Sequence, residues 1–104
     1  MKLFMDDLRE TPEGWERTYN IHDTIAKLGT LEVTHLSLDN DLGSEDPTTE
    51  GFNVLNWLEE TVHFNPHFPI PFITIHSSNA GRTPMMRQVA AKLELIRQQQ
   101  IGVT

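Results

Sequence analysis

Three short apolar runs in this chain each stop at polar or acidic residues, and that recurrence limits the fold more than any other feature. Lys2-Leu3-Phe4-Met5 runs into Asp6-Asp7. Thr34 to Leu38 runs into Asp39-Asn40-Asp41-Leu42-Gly43, and Phe72-Ile73-Thr74-Ile75 runs into His76-Ser77-Ser78-Asn79. Runs of this length, rich in branched and aromatic residues, read as strands. If the strands are parallel, their ends share one edge of the sheet, which is where α/β proteins collect ligands.

The segments between the runs supply the crossovers. Arg9 to Gly14 contains Pro12 and Gly14 and reads as turn. Trp15 to Tyr19 reads as a second strand, with Trp15, Arg17 and Tyr19 on one face. Asn20 is a helix N-cap that Asp23 can answer, Ile21, Ile25 and Leu28 follow at helical spacing, and Gly29 is the stop. Ser44 to Glu50 is a polar loop on the acidic edge. Phe52, Leu55, Leu58 and Val62 make an amphipathic helix. Asn65 to Pro71 holds three prolines and must be irregular. Thr83-Pro84 opens a last helix with Met86, Val89, Leu93 and Ile96 on one face. Its tail, Gln98 to Gln100, is polar, and Ile101 to Thr104 is expected to fray. The predicted order is β-β-α-β-α-β-α, an α/β domain over residues 1–104 with a parallel sheet.

Charge and composition remove whole classes of function. The 104 residues carry a formal charge of −7, so sequence-independent binding to long nucleic acid, which needs Lys and Arg on phosphates, is not expected. The chain has no cysteine, which excludes disulfides, thiolate nucleophiles and Cys-based zinc sites and fits a cytoplasmic location. No run resembles a signal peptide or approaches the ~20 apolar residues of a membrane span. There is no GxGxxG, no P-loop, no nucleophile elbow and no zinc signature.

Paired acids after two separate strands point to a metal. Asp6, Asp7 and Asp39 on one edge repel each other unless a cation sits among them, and Mg²⁺ suits a few carboxylates plus substrate phosphate oxygens. The competing reading is that these residues cap helices and form turns, as Asp commonly does. His76 ends its strand, a position for a general acid or base or for a phosphate donor. Arg82 precedes a helix start and can clamp a phosphate, as can Arg9; a surface ion pair is the alternative for both. His22, His63 and His67 have no partners at metal-ligand spacing.

Taken together, three blocks carry a resemblance. Met5-Asp6-Asp7-Leu8-Arg9 with Pro12 and Gly14-Trp15 is the first. Ser37-Leu38-Asp39-Asn40-Asp41-Leu42-Gly43 is the second, and His76-Ser77-Ser78-Asn79 with Gly81-Arg82 is the third. In this order they resemble the cyclic-phosphate processing receiver-like family, trimmed relatives of response-regulator receivers. The resemblance runs through essentially the whole chain. It implies a flavodoxin/CheY-like receiver-type three-layer fold, with about four parallel strands in the order 2-1-3-4, three flanking helices, and a loop in place of the first helix.

The resemblance also implies a set of roles. Asp6, Asp7 and Asp39 would hold Mg²⁺ or Mn²⁺, with Asp41 in support. His76, Asn79 and Arg82 would engage the phosphate, with Ser77 and Arg9 beside it. The implied activity is metal-assisted hydrolysis of a cyclic phosphate on a nucleotide or an RNA end, in settings such as RNA repair and phage–host conflict. The nucleophile is either water or Asp39 itself. Ordinary receivers carry a phosphate-contacting lysine after a fifth strand, whereas Lys92 here falls inside the last helix, so a phosphoacceptor switch using Asp39 is the weaker alternative. A binder of cyclic nucleotides without turnover is the other.

Overall fold

The alternating signals resolve into β1 (Lys2–Met5), β2 (Glu16–Thr18), α1 (Ile21–Leu28), β3 (His35–Leu38), α2 (Phe52–Phe64), β4 (Phe72–Ile75) and α3 (Thr83–Gly102). They come from a computed structural model that describes residues 1–6, 9–39, 51–76 and 83–102. The strands form one parallel sheet in the order β2-β1-β3-β4, as the resemblance implied. The register pairs Leu3 with Leu36 and Leu36 with Ile73, so equivalent positions line up across the sheet.

Strand alternation sends one set of side chains to the helices. Leu3, Met5, Leu36 and Leu38 are fully buried there, with Ile73 and Ile75 packed beside them. They meet Ile21 and Leu28 of α1, Val54, Leu55, Leu58 and Val62 of α2, and Met86 and Leu93 of α3. Burying one such side chain contributes roughly 1.5–3 kcal/mol, so this face is the main source of stability. Val89 and Ile96 complete the predicted apolar face of α3.

The opposite face of the sheet receives Lys2, Phe4, His35, Ser37, Phe72 and Thr74. Among the described residues no helix joins it. Its cover is the β1–β2 connection, which supplies the third layer as a loop. Trp15 donates its amide to the Pro12 carbonyl at 3.2 Å, and Gly14 takes φ +86 at the third position of that turn. Only glycine holds that angle cheaply. The turn lifts Trp15 out of β2, which is shorter than the sequence predicts, and lays its ring edge-on against Phe4, with 6.5 Å between centroids.

Local signals act as expected at α1. Asn20 Oδ1 accepts from the Asp23 amide at 2.8 Å, and Asn20 Nδ2 donates to the Asp23 carboxylate at 3.2 Å. Gly29 is the C-cap but stays right-handed at φ −64, and the left-handed residue is Leu31 at φ +65. A side chain there costs about 1–2 kcal/mol relative to the right-handed region. The polar tail of α3 is tied down at Gln100. Its Nε2 donates to the carbonyls of Pro66 at 2.9 Å and Phe68 at 2.8 Å, fastening the helix to the proline-rich connection.

Candidate metal centre

The residue just past β1, β3 and β4 continues the backbone ladder. Asp6 donates its amide to the Thr18 carbonyl at 3.1 Å, Asp39 to Met5 at 3.1 Å, and His76 to Leu38 at 2.9 Å. Three side chains that are distant in sequence are thereby fixed on one edge. One ligating atom each from Asp6, Asp39 and His76 lies within 4.8 Å of the others. Asp6 is wholly buried and Asp39 is 8% exposed, whereas the His76 side chain is 16% exposed.

His76 is held on three sides. Its ring stacks on Phe4 with 4.5 Å between centroids and 5° between planes. Nε2 lies 3.0 Å from Asp6 Oδ2, and a carboxylate only accepts, so Nε2 carries the proton. Nδ1 lies 2.6 Å from Ser37 Oγ, and in the neutral ring it accepts from that hydroxyl. Burial lowers the His76 pKa below its ordinary 6.5 and outweighs the Asp6 carboxylate, which pulls it up. At neutral pH the ring is uncharged and sits beside two acidic side chains.

Two arginines border the cluster. The Arg9 amide donates to Asp6 Oδ1 at 3.0 Å, its Nε is 3.9 Å from Asp6 Oδ2, and its Nη1 donates to the His76 carbonyl. Arg17 Nε donates to the Asp6 carbonyl at 3.2 Å, and Nη1 to Thr11 Oγ1 at 3.4 Å. Burying two carboxylates within ligand distance of each other is unfavourable unless positive charge compensates them. Arg9 is half exposed and meets the cluster from its Asp6 side. A divalent cation between Asp6 and Asp39 would neutralise both at once, so the residues present fit one. The two carboxylates supply oxygen donors, which suit Mg²⁺ and Mn²⁺, and with Nε2 protonated His76 would stand beside the ion without ligating it.

Of the residues singled out from sequence, Asp6, Asp39 and His76 come together, with Arg9 beside them. Asp7, Asp41, Ser77, Asn79 and Arg82 lie outside the described residues, as does the loop from Ser44 to Glu50. Two residues escaped the sequence reading. Ser37 precedes Asp39 by two positions on β3 and therefore shares its face, a signal that strand alternation offers. Arg17 pairs with Phe4 across β1 and β2, which only the register shows.

A parallel sheet in the order 2-1-3-4, carrying buried acids at its carboxyl edge, defines a receiver-type domain of the flavodoxin-like class. Residues 1–92 match the sequence model of the cyclic-phosphate processing receiver domain, and the chain belongs to that family. The family's description implies a role in cyclic-phosphate processing. Neither the curated proteins nor the solved structures give a match to the chain. No helix among the described residues is long and apolar enough to cross a membrane.

Proposed function

We propose that the chain is a divalent-metal-dependent phosphoesterase that hydrolyses a cyclic phosphate on a nucleotide or an RNA end. The observation that carries this reading is the cluster of two buried carboxylates and one imidazole within 4.8 Å, in a member of a cyclic-phosphate processing family. A bound Mg²⁺ or Mn²⁺ supplies polarisation of the phosphoryl oxygens and offsets the charge that builds on them. Asp6 and Asp39 would hold it, together with Asp7 and with Asp41 in support.

The chain's own groups then bind and orient the phosphate. Arg9 borders the cluster through Asp6 and His76, and Arg82 adds a second guanidinium; charge-assisted bonds from both favour the transition state as negative charge accumulates. Ser77 and Asn79 donate to the remaining oxygens. Water adds at phosphorus, one ring P–O bond breaks, and a proton ends on the departing ribose oxygen. His76 relays that proton: the neutral ring takes one from the attacking water on its Ser37 side and, as imidazolium, gives one from Nε2 to the departing oxygen. Asp6 beside it stabilises the imidazolium form that proton transfer needs. Attack by Asp39 is the second route, and it passes through an acyl phosphate on the chain.

The test is ³¹P NMR of 2′,3′- and 3′,5′-cyclic nucleotides and of RNA ending in a cyclic phosphate, with the chain and Mg²⁺ or Mn²⁺. Ring opening of at least one, abolished by Asp39→Asn, is expected. Metal binding without ring opening of any substrate overturns the hydrolase reading and leaves a binder. A hydroxylamine-sensitive adduct selects attack by Asp39 over attack by water.

A further inference from the structure

β4 is an edge strand of the sheet. Phe72 and His76 donate their amides to Thr34 and Leu38 on the β3 side. In a parallel strand the amide and carbonyl of one residue point the same way, so those of Ile73 and Ile75 point outward. Beside them runs a groove of about 490 Å³, lined by Phe72 to Ile75 on the strand and by Arg87, Ala90, Ala91 and Glu94 on α3. Phe72 is 48% exposed, and the strand has neither the lysine nor the bulge that commonly blunts an edge.

The lining of this groove is its own complement. Arg87 and Glu94 lie on one face of α3, two turns apart, with Ala90 and Ala91 midway. If a second α3 runs antiparallel about the point between those alanines, each Arg87 meets the other copy's Glu94. The alanines face each other and leave room for close approach. The strand obeys the same symmetry. Antiparallel pairing about Thr74 sets Ile73 opposite Ile75 of the other copy, twice, so that all four outward amides and carbonyls on each side find partners. Thr74 then faces Thr74, a favourable cross-strand pair, and Phe72 faces His76.

One axis serves both elements. Thr74 on the strand and Ala90 and Ala91 on the helix line the same groove. Arg97 stands over the Phe72 ring at 5.3 Å, fixing that end of β4 against the far end of α3. From Phe72 to Thr74 is about 6.7 Å of strand, or four to five residues of helix, which leads back from Arg97 to Lys92 and Leu93, within about a turn of the two alanines.

We propose that β4 and α3 form a two-fold interface between two copies of this chain, joining their sheets into one of eight strands. The interface is isologous and closes on itself, so it ends at a dimer. Glu94 already pairs with Arg97 on its own helix, and Arg87 of the second copy joins that pair from the other side.

Sedimentation equilibrium of the full chain is the test, with circular dichroism to verify folding. The wild type is expected to form dimers, and Arg87→Glu or Glu94→Lys alone to weaken self-association about tenfold or more by setting like charges together. Mixing the two variants one to one restores association. The carboxylate introduced at position 87 of one variant then meets the ammonium introduced at position 94 of the other, and the unaltered Glu94 of the first meets the unaltered Arg87 of the second. A wild type that remains monomeric at about 1 mM overturns the proposal, since even weak specific pairs populate there. A dimer that both substitutions leave unchanged also overturns it, as does a mixture of folded variants that stays monomeric.

Discussion

The two faces of this sheet are built from the same strands and do different work. On the helix side Leu3, Met5, Leu36 and Leu38 are buried among apolar neighbours, and these four side chains carry no group that ionises or holds a metal. On the loop side Phe4, Ser37 and Thr74 lead along the strands to Asp6, Asp39 and His76. Stability and chemistry thus alternate residue by residue, and substitutions one position apart should fail in different ways.

The largest effect is expected on the helix side. Leu36→Ala removes a fully buried side chain and should destabilise the fold by about 3 kcal/mol, read by urea denaturation. If the loss is under about 1 kcal/mol, the helix face does not carry the stability assigned to it.

One residue past β3, Asp39→Asn should do the reverse. It should abolish the thermal stabilisation that Mn²⁺ gives, which for the intact site is about 2.7 kcal/mol at a hundred times the dissociation constant. In the absence of metal the variant should keep its fold, because Asn fills the same volume and one of two neighbouring buried carboxylates has gone. Calorimetry with and without Mn²⁺ checks both halves, and equal metal responses in the two proteins would break the comparison.

Ser37→Ala tests the loop side where it supports the site. Losing the hydroxyl on Nδ1 should lower metal affinity or ring-opening activity by about 10- to 100-fold, the usual effect of removing such an orienting partner. Isothermal titration with Mn²⁺ gives a readout independent of turnover. Lower thermal stability with no change in affinity would assign Ser37 to the core instead.

The smallest effect is a matter of pH. Burial lowers the His76 pKa in the metal-free chain, so its ¹⁵N shifts should titrate below pH 6.5, with Nε2 bearing the proton above that point. A depressed histidine prefers the neutral form in the folded state. Its contribution to stability is therefore full above pH 6.5 and declines as pH falls below it. A titration midpoint above 6.5 would mean that Asp6 outweighs burial.

Much of this can be read from the residues because the strands are short and their endings recur. Asp6, Asp39 and His76 follow the three apolar runs directly, and a parallel sheet brings such ends together whatever the crossovers do. The helix faces of Ile21 with Leu28 and of Met86 with Leu93 follow from spacing alone. What cannot be read depends on contacts between distant segments. The Phe4–His76 stack joins the first strand to the end of the last, and Arg17 reaches the site through a register that no local pattern sets. Alternation alone places Trp15 within β2, but Gly14 turns the chain so that its ring covers the sheet instead. Gln100 reads as part of a polar tail, and its partners are two carbonyls in the proline-rich connection.

The three amide bonds that extend the ladder past the strands have a bearing on time as well as place. Asp6, Asp39 and His76 are each tied by their backbone to a neighbouring strand, so the cluster cannot open without unzipping the sheet. Their amides should exchange with solvent deuterium at the rate set by global unfolding and not by local fluctuation. The lifetime of the site is then the lifetime of the fold, and metal affinity and secondary structure should vanish at the same denaturant concentration.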